Sequence, residues 1–312
     1  MSERRVQIVE VSPRDGLQNE PAELSTGDKL TLIERLVSIG AKRIEVASFV
    51  NSRRVPKMAD AEAVVAGLPE APGVEYIGLC LNERGVERAI AGSKASRRGL
   101  DQIGCVMVAT DSFGIANQGQ TVLQGLAANT AMIALAKTAG LSVQVTISGS
   151  FGCPFEGPVP EVRVLDIAET LAAAGADEIA FADTIGVGVP AQVTSMVKRA
   201  RERLGDLPIR VHLHDTRGMG PANAWAAYEA GCRIFDSALG GLGGCPFAPN
   251  AKGNVATEEL AYLFGRSGIE CGIDLDAALA ANRWLANTMG KALPSRVGLA
   301  GDFIPSQSRE HA

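Results

Sequence analysis

The chain has 312 residues, 46% of them hydrophobic and only 4% aromatic, enough for one large domain or two ordinary ones with helices packed closely on a sheet. A net charge of −5, with lysine and arginine scattered, leaves no electrostatic footprint for nucleic acid or an anionic membrane, so a small-molecule partner is expected. No apolar stretch is long enough to cross a bilayer, the six cysteines stand far apart without a Cys-x-x-Cys, and Met1-Ser2-Glu3-Arg4-Arg5 shows no apolar signal region; together these point to a cytoplasmic protein without a disulfide framework.

In chain order, eight short β-rich runs are expected as buried strands: Val6–Val11, Arg43–Phe49, Val74–Leu81, Gln102–Ala109, Ser142–Ser148, Glu178–Ala182, Ile209–His214 and Arg233–Ala238. Between them lie helical patterns at Asp28–Ile39, Met58–Ala66, Thr121–Ala139, Glu161–Ala174, Ala191–Leu204 and Ala222–Ala230. Several of these stop at a glycine, namely Gly40, Gly140, Gly175 and Gly231, where a left-handed residue ends a helix. Strand and helix repeated eight times imply right-handed crossovers and a parallel sheet, which closes as a (β/α)8 TIM barrel. An open doubly wound sheet is the competing fold, but no Gly-x-Gly-x-x-Gly follows the first strand. Residues 1–265 are assigned to the barrel domain and residues 266–312 to a C-terminal helical extension packed on it; helical segments at Glu258–Phe264 and Leu275–Thr288 supply the last barrel helix and the extension.

In such a barrel, chemistry gathers where strands end and loops begin. The first strand runs into Ser12-Pro13-Arg14-Asp15-Gly16-Leu17-Gln18-Asn19-Glu20. The second carries Glu45 and Ser48, the sixth ends at Asp183-Thr184, and the eighth leads to Gly240-Gly241-Leu242-Gly243-Gly244-Cys245. The seventh ends in His212-Leu213-His214; alternate residues of a strand share a face, so both imidazoles point to one place. Two histidines on a strand can also be ordinary hydrogen-bonded side chains, and a rim aspartate often only caps a helix. Placed together, Asp15, His212 and His214 make an O,N,N set that suits Mg²⁺, Mn²⁺, Co²⁺ or Zn²⁺, and Asn254 could add a carbonyl oxygen or simply serve the Gly253-Asn254 turn.

These segments resemble the 3-hydroxy-3-methylglutaryl-CoA lyase family, within the metal-dependent lyase and Claisen-condensing barrels. The resemblance rests on the Arg14–Glu20 heptad, Ile44–Val50, Gly152–Gly157, Asp183–Gly186, His212–Thr216, Gly241–Ala248 and Gly253-Asn254. It implies a divalent metal, Mg²⁺ or Mn²⁺, bound by Asp15, His212, His214 and Asn254, with Arg14 near a thioester carbonyl and Glu45 beside the ligands. It implies further that Cys245 sits on a glycine-rich loop that closes over the site and can relay a proton, and that Asp183 belongs to the catalytic set. The substrate is then an acyl-CoA, cleaved by retro-Claisen chemistry to acetyl-CoA and a 3-oxo acid, acetoacetate for the standard substrate. A homo-oligomer, dimer or tetramer, is expected.

Substrate contacts are expected from Arg14, Gln18, Ser48, Gln144, Thr146 and Thr184. Where the family usually carries Arg-Gly-Tyr-Val-Ser-Cys along the fifth strand, this chain has Gln144-Val145-Thr146-Ile147-Ser148-Gly149, so the pocket wall there should be roomier and less positive. That leaves three readings: the standard lyase, a related lyase for a bulkier or less acidic hydroxyacyl-CoA or hydroxy acid, and a non-catalytic metal- or CoA-binding barrel.

Overall fold

The computed structural model describes residues 4–244 and 253–303. Its strands are β1 (Gln7–Glu10), β2 (Arg43–Ser48), β3 (Glu75–Cys80), β4 (Gln102–Val108), β5 (Ser142–Ser148), β6 (Glu178–Asp183), β7 (Ile209–Leu213) and β8 (Ile234–Ser237). They pair in sequence order, and β8 closes in parallel on β1 with Gln7 opposite Ile234 and Val9 opposite Asp236. The expected (β/α)8 barrel is therefore present, and the open sheet is excluded.

The helices are α1 (Thr26–Ser38), α2 (Ala61–Ala66), α3 (Glu83–Ala95), α4 (Asp111–Gln118), α5 (Val122–Thr138), α6 (Glu161–Ala173), α7 (Pro190–Leu204), α8 (Gly220–Glu229), α9 (Thr257–Arg266), α10 (Leu275–Met289) and α11 (Arg296–Ala300). Local chemistry fixes their ends. Ser25 and Asp28 form a capping box on α1, and Thr121 and Gln124 form one on α5. All four predicted stop glycines have positive φ, from 80° at Gly140 to 102° at Gly40. The sequence pattern does not single out α3, because its buried face is only Gly85, Val86 and Ala89; the Asn82 cap on Gly85 starts it instead.

Between sheet and helices lies a continuous apolar layer that includes Leu32, Ile33, Leu36, Ile133, Val164, Leu171, Val197 and Phe264. The barrel interior differs. TIM-barrel interiors are usually filled by branched aliphatic side chains. Here Arg43, Gln102, Gln144, Glu178 and Arg210 are all buried, and Arg43 hydrogen-bonds Gln102, Gln144 and Glu178. The lower barrel is thus a charge-paired layer beneath the rim.

After the last strand, α10 packs on α1, on α9 and on the turn Leu239–Gly241. The Arg35 guanidinium stacks on Trp284, 4.6 Å from its ring centroid. Among the described residues, no helix is long and apolar enough to cross a membrane.

Candidate metal centre

Immediately after β1 the chain makes a π-helical turn, Ser12–Gly16, whose start is held by the buried Glu10 carboxylate accepting from the Ser12 N–H at 2.8 Å. That turn carries Arg14 and Asp15 to the rim. On β7 the strand alternation brings His212 and His214 to the same side, with their Nε2 atoms 3.1 Å apart. Asp15 Oδ2 lies 3.9 Å from His212 Nε2, and one ligand atom from each of the three residues falls within 4.8 Å of the others.

The surrounding contacts orient this group for metal binding. His212 Nδ1 faces Asp236 Oδ2 at 2.9 Å, and with its proton there the Nε2 lone pair is left to the cluster. Asn254 donates from Nδ2 to Asp15 Oδ2 at 2.7 Å and to the Leu242 carbonyl at 2.9 Å. Its Oδ1 is buried without any partner. A buried orphaned oxygen beside two converging imidazoles and a carboxylate is costly in a bare protein and natural around a cation. The residues fit a metal.

Charge follows the same pattern. Burial opposes ionisation of Asp15, but Arg14 and the two imidazoles outweigh it and hold the carboxyl well below the usual range. Burial, reinforced by His212, pushes His214 down to about 4, so its imidazole is neutral at physiological pH, the form a metal would need. Burial works against the charge of His212 as well, but Asp236 outweighs it and raises that imidazole. Glu45 is raised by burial in spite of the Arg14 charge next to it. Arg14 Nε donates to Glu45 Oε1, and its Nη1 donates to Asp15 Oδ1 at 2.5 Å.

A cavity of about 580 Å³ opens over the cluster. Arg14, Asp15, Gln18, Glu45, Thr146, Thr184, His212 and His214 line it, as the sequence reading expects. Four expected residues do not, and of these Asn254 reaches the group only through its bond to Asp15 Oδ2. Gln144 shares the inward face of β5 with Thr146 but sits a layer lower, with Oε1 3.4 Å from Arg43 Nη2. Ser48 is fully buried past a bulge between Glu45 and Ala47. Asp183, one residue out of phase with Ala182 and Thr184, accepts the Val187 and Gly188 N–H groups at 2.9 Å each and so shapes the following turn; the structure does not bring it into the cavity. Cys245 lies outside the described residues. The sequence reading missed Asp236, which lines the cavity and holds His212. Its signal was a carboxylate inside the apolar run Ile234-Phe235-Asp236.

A parallel eight-stranded barrel with a carboxylate–imidazole group at the C-terminal rim that could hold a metal is the architecture of metal-dependent barrel enzymes. The HMGL-like family model matches residues 5–284. The (R)-citramalyl-CoA lyase of Chloroflexus aurantiacus is 43% identical over 310 residues, covering 96% of each chain. The hydroxymethylglutaryl-CoA lyase YngG of Bacillus subtilis is 38% identical, covering 94% of this chain and 96% of the relative. Among solved structures, an HMG-CoA lyase from Acinetobacter baumannii in complex with coenzyme A and 3-methylmalate superposes with a TM-score of 0.92 at 37% identity, covering 98% of this chain and 99% of that one. The chain belongs to the HMGL-like family and is a carbon–carbon lyase of that family.

Proposed function

We propose that the protein cleaves a short 3-hydroxyacyl-CoA whose carbinol carbon also bears the carboxylate, a citramalyl-type thioester, releasing acetyl-CoA and a 2-oxo acid. The observation that carries the lyase reading is the pair of Nε2 atoms 3.1 Å apart beside Asp15 and the orphaned Asn254 oxygen, in a cavity that Arg14 also lines. Asp15, His212, His214 and Asn254 would hold Mg²⁺ or Mn²⁺, whose Lewis acidity makes a bound hydroxyl easier to deprotonate.

In the cleavage, the hydroxyl gives up its proton to a general base, its oxygen forms the carbonyl of the 2-oxo acid, and the Cα–Cβ bond breaks. Its electron pair moves to the thioester carbonyl as an enolate, and a proton then returns to the α-carbon. Arg14, braced by Glu45 and Asp15, offers a fixed cation to the enolate oxygen as its charge grows. Cys245, which follows β8 in the sequence, is the proposed proton donor to the α-carbon.

The substrate choice rests on the distribution of charge. Among the described residues lining the cavity, the only guanidinium groups are Arg14 and Arg54, and Arg14 is engaged by two carboxylates. Arg54 is exposed, so an acyl carboxylate held beside Asp15, His212 and His214 has no guanidinium of its own there and would be best served on the hydroxyl-bearing carbon, where a bound cation could serve both groups. Citramalyl-CoA and 3-methylmalate, the molecules named for two of the relatives, share that feature. This favours an acyl group one methylene shorter than methylglutaryl, against the expectation of a bulkier one. The test is to supply citramalyl-CoA and 3-hydroxy-3-methylglutaryl-CoA with Mg²⁺ or Mn²⁺ and measure acetyl-CoA together with pyruvate or acetoacetate. One methylene in a fitted pocket is worth about tenfold to two-hundredfold in kcat/KM, in favour of citramalyl-CoA. A preference for the longer thioester would refute the assignment, and turnover of neither would refute the acyl-CoA reading.

A further inference from the structure

Arg210 is 1% exposed and stands on the same face of β7 as His212, two residues away. Its three nitrogen groups are all engaged. Nε donates to Glu178 Oε1 at 2.7 Å, Nη1 donates to both oxygens of Asp236, and Nη2 donates to the hydroxyl of Thr146 at 3.3 Å. Glu178 is gripped from below by Arg43, whose Nη1 lies 2.7 Å from Oε2. Charges therefore alternate from the barrel floor to the rim: Arg43, Glu178, Arg210, Asp236, and then the His212 imidazole.

We propose that Arg210 is a positioning residue for the metal centre, acting through Asp236 on the orientation of His212, and that through Thr146 it ties the wall of the acyl cavity to the same network. This rests on the reading of Asp15, His212 and His214 as metal ligands. A carboxylate held by one partner can rotate about its terminal torsion, whereas one held by His212 on one side and by a guanidinium reaching both oxygens on the other has its plane fixed. The imidazole plane, and with it the direction of the Nε2 lone pair, is then fixed as well. Stability alone is a poor reason for such a residue, because a buried ion pair replaced by aliphatic side chains often costs nothing. Branched aliphatics are what barrel interiors ordinarily use at this depth. The interior cation comes from β7, at a level where β5 contributes the neutral Gln144.

The experiment is calorimetric titration of Mn²⁺ into metal-free wild type, Arg210→Met, Asp236→Asn and the double variant, with thermal melts of each. Partners of metal ligands typically contribute tenfold to a hundredfold in affinity, and Arg210, one step further out, is expected at about tenfold. In the Asp236→Asn background the Arg210→Met change should move the Mn²⁺ Kd by less than about twofold, because the path runs through that carboxylate. An unchanged Kd in Arg210→Met overturns the proposal, and so does the same loss in both backgrounds. Wild type that binds no Mn²⁺ overturns the metal reading itself, an outcome separate from either. If Arg210→Met does not fold, Arg210→Lys carries the test. A single-point cation should bind Mn²⁺ about threefold or more weaker at a wild-type melting temperature, and wild-type affinity in that variant overturns the proposal.

Discussion

Replacing Gly243 by alanine should disable the metal group without removing a ligand. Gly243 has φ of +104°, and a Cβ there would lie 2.6 Å from Asn254 Nδ2 and 3.2 Å from the Asp15 carbonyl oxygen. The left-handed backbone costs an alanine about 1–2 kcal/mol. The clash then falls on the carboxamide that donates to Asp15 Oδ2 at 2.7 Å and to the Leu242 carbonyl at 2.9 Å. A hydrogen bond to a charged acceptor is worth about 1.5–3 kcal/mol, so displacing it should weaken metal binding by about tenfold to a hundredfold. Calorimetric titration of Mn²⁺ into metal-free Gly243→Ala reads the affinity, and a thermal melt reads the strain as a loss of roughly 2–6 °C. A lowered melting temperature with unchanged Mn²⁺ affinity would show that Asn254 and Asp15 do not form one coupled ligand pair.

Three further outcomes follow from the same geometry. Treatment with EDTA should abolish acetyl-CoA release and Mg²⁺ or Mn²⁺ should restore it; full turnover in a sample shown by elemental analysis to be metal-free would sink the metal assignment. Arg14→Gln should lower kcat by roughly a hundredfold with little change in Mn²⁺ affinity, since its contribution grows only as enolate charge develops; an equal loss in both would make it a mere brace for Asp15. Burial pushes Glu258 up to about 7 from an ordinary 4.5. Its raised folded value means that stability is lost as pH rises from about 4.5 and that the cost, on the order of 3 kcal/mol, is fully present above about 7. Urea unfolding of wild type and Glu258→Gln at a series of pH values should show a shallower decline in the variant; parallel profiles would contradict that role.

How much of this was legible in the sequence depended on whether a signal was local. The His212–His214 pair could be read from a period of two, and Gly140 or Gly175 could be read as helix stops because the left-handed region admits little else. Depth inside the barrel was not legible. Gln144 and Thr146 have the same phase on β5, yet one meets Arg43 on the floor and the other lines the cavity, because height is set by strand stagger. Asp183 shows the complementary failure: a polar residue at a strand end that lies one position out of phase and bonds the following turn. Asp236 and Arg210 were hidden inside runs that read as apolar strands, since the sequence shows a charge there but not the opposite charge on another strand that makes it tolerable.

The far end of the chain reaches the rim as well. Glu258 on α9 accepts from the Gly240 N–H at 3.0 Å and from Asn282 Nδ2 on α10 at 2.5 Å, so one carboxylate fastens the base of the segment after β8 to the last long helix. That helix is itself anchored to α1 by Trp284 under Arg35. In engineering terms, the C-terminal helices are the mounting of the rim and cannot be treated as an independent tail. A chimera that takes them from a relative must bring a matching partner for Glu258, or the Leu239–Gly241 turn loses its anchor while every ligand remains in the sequence.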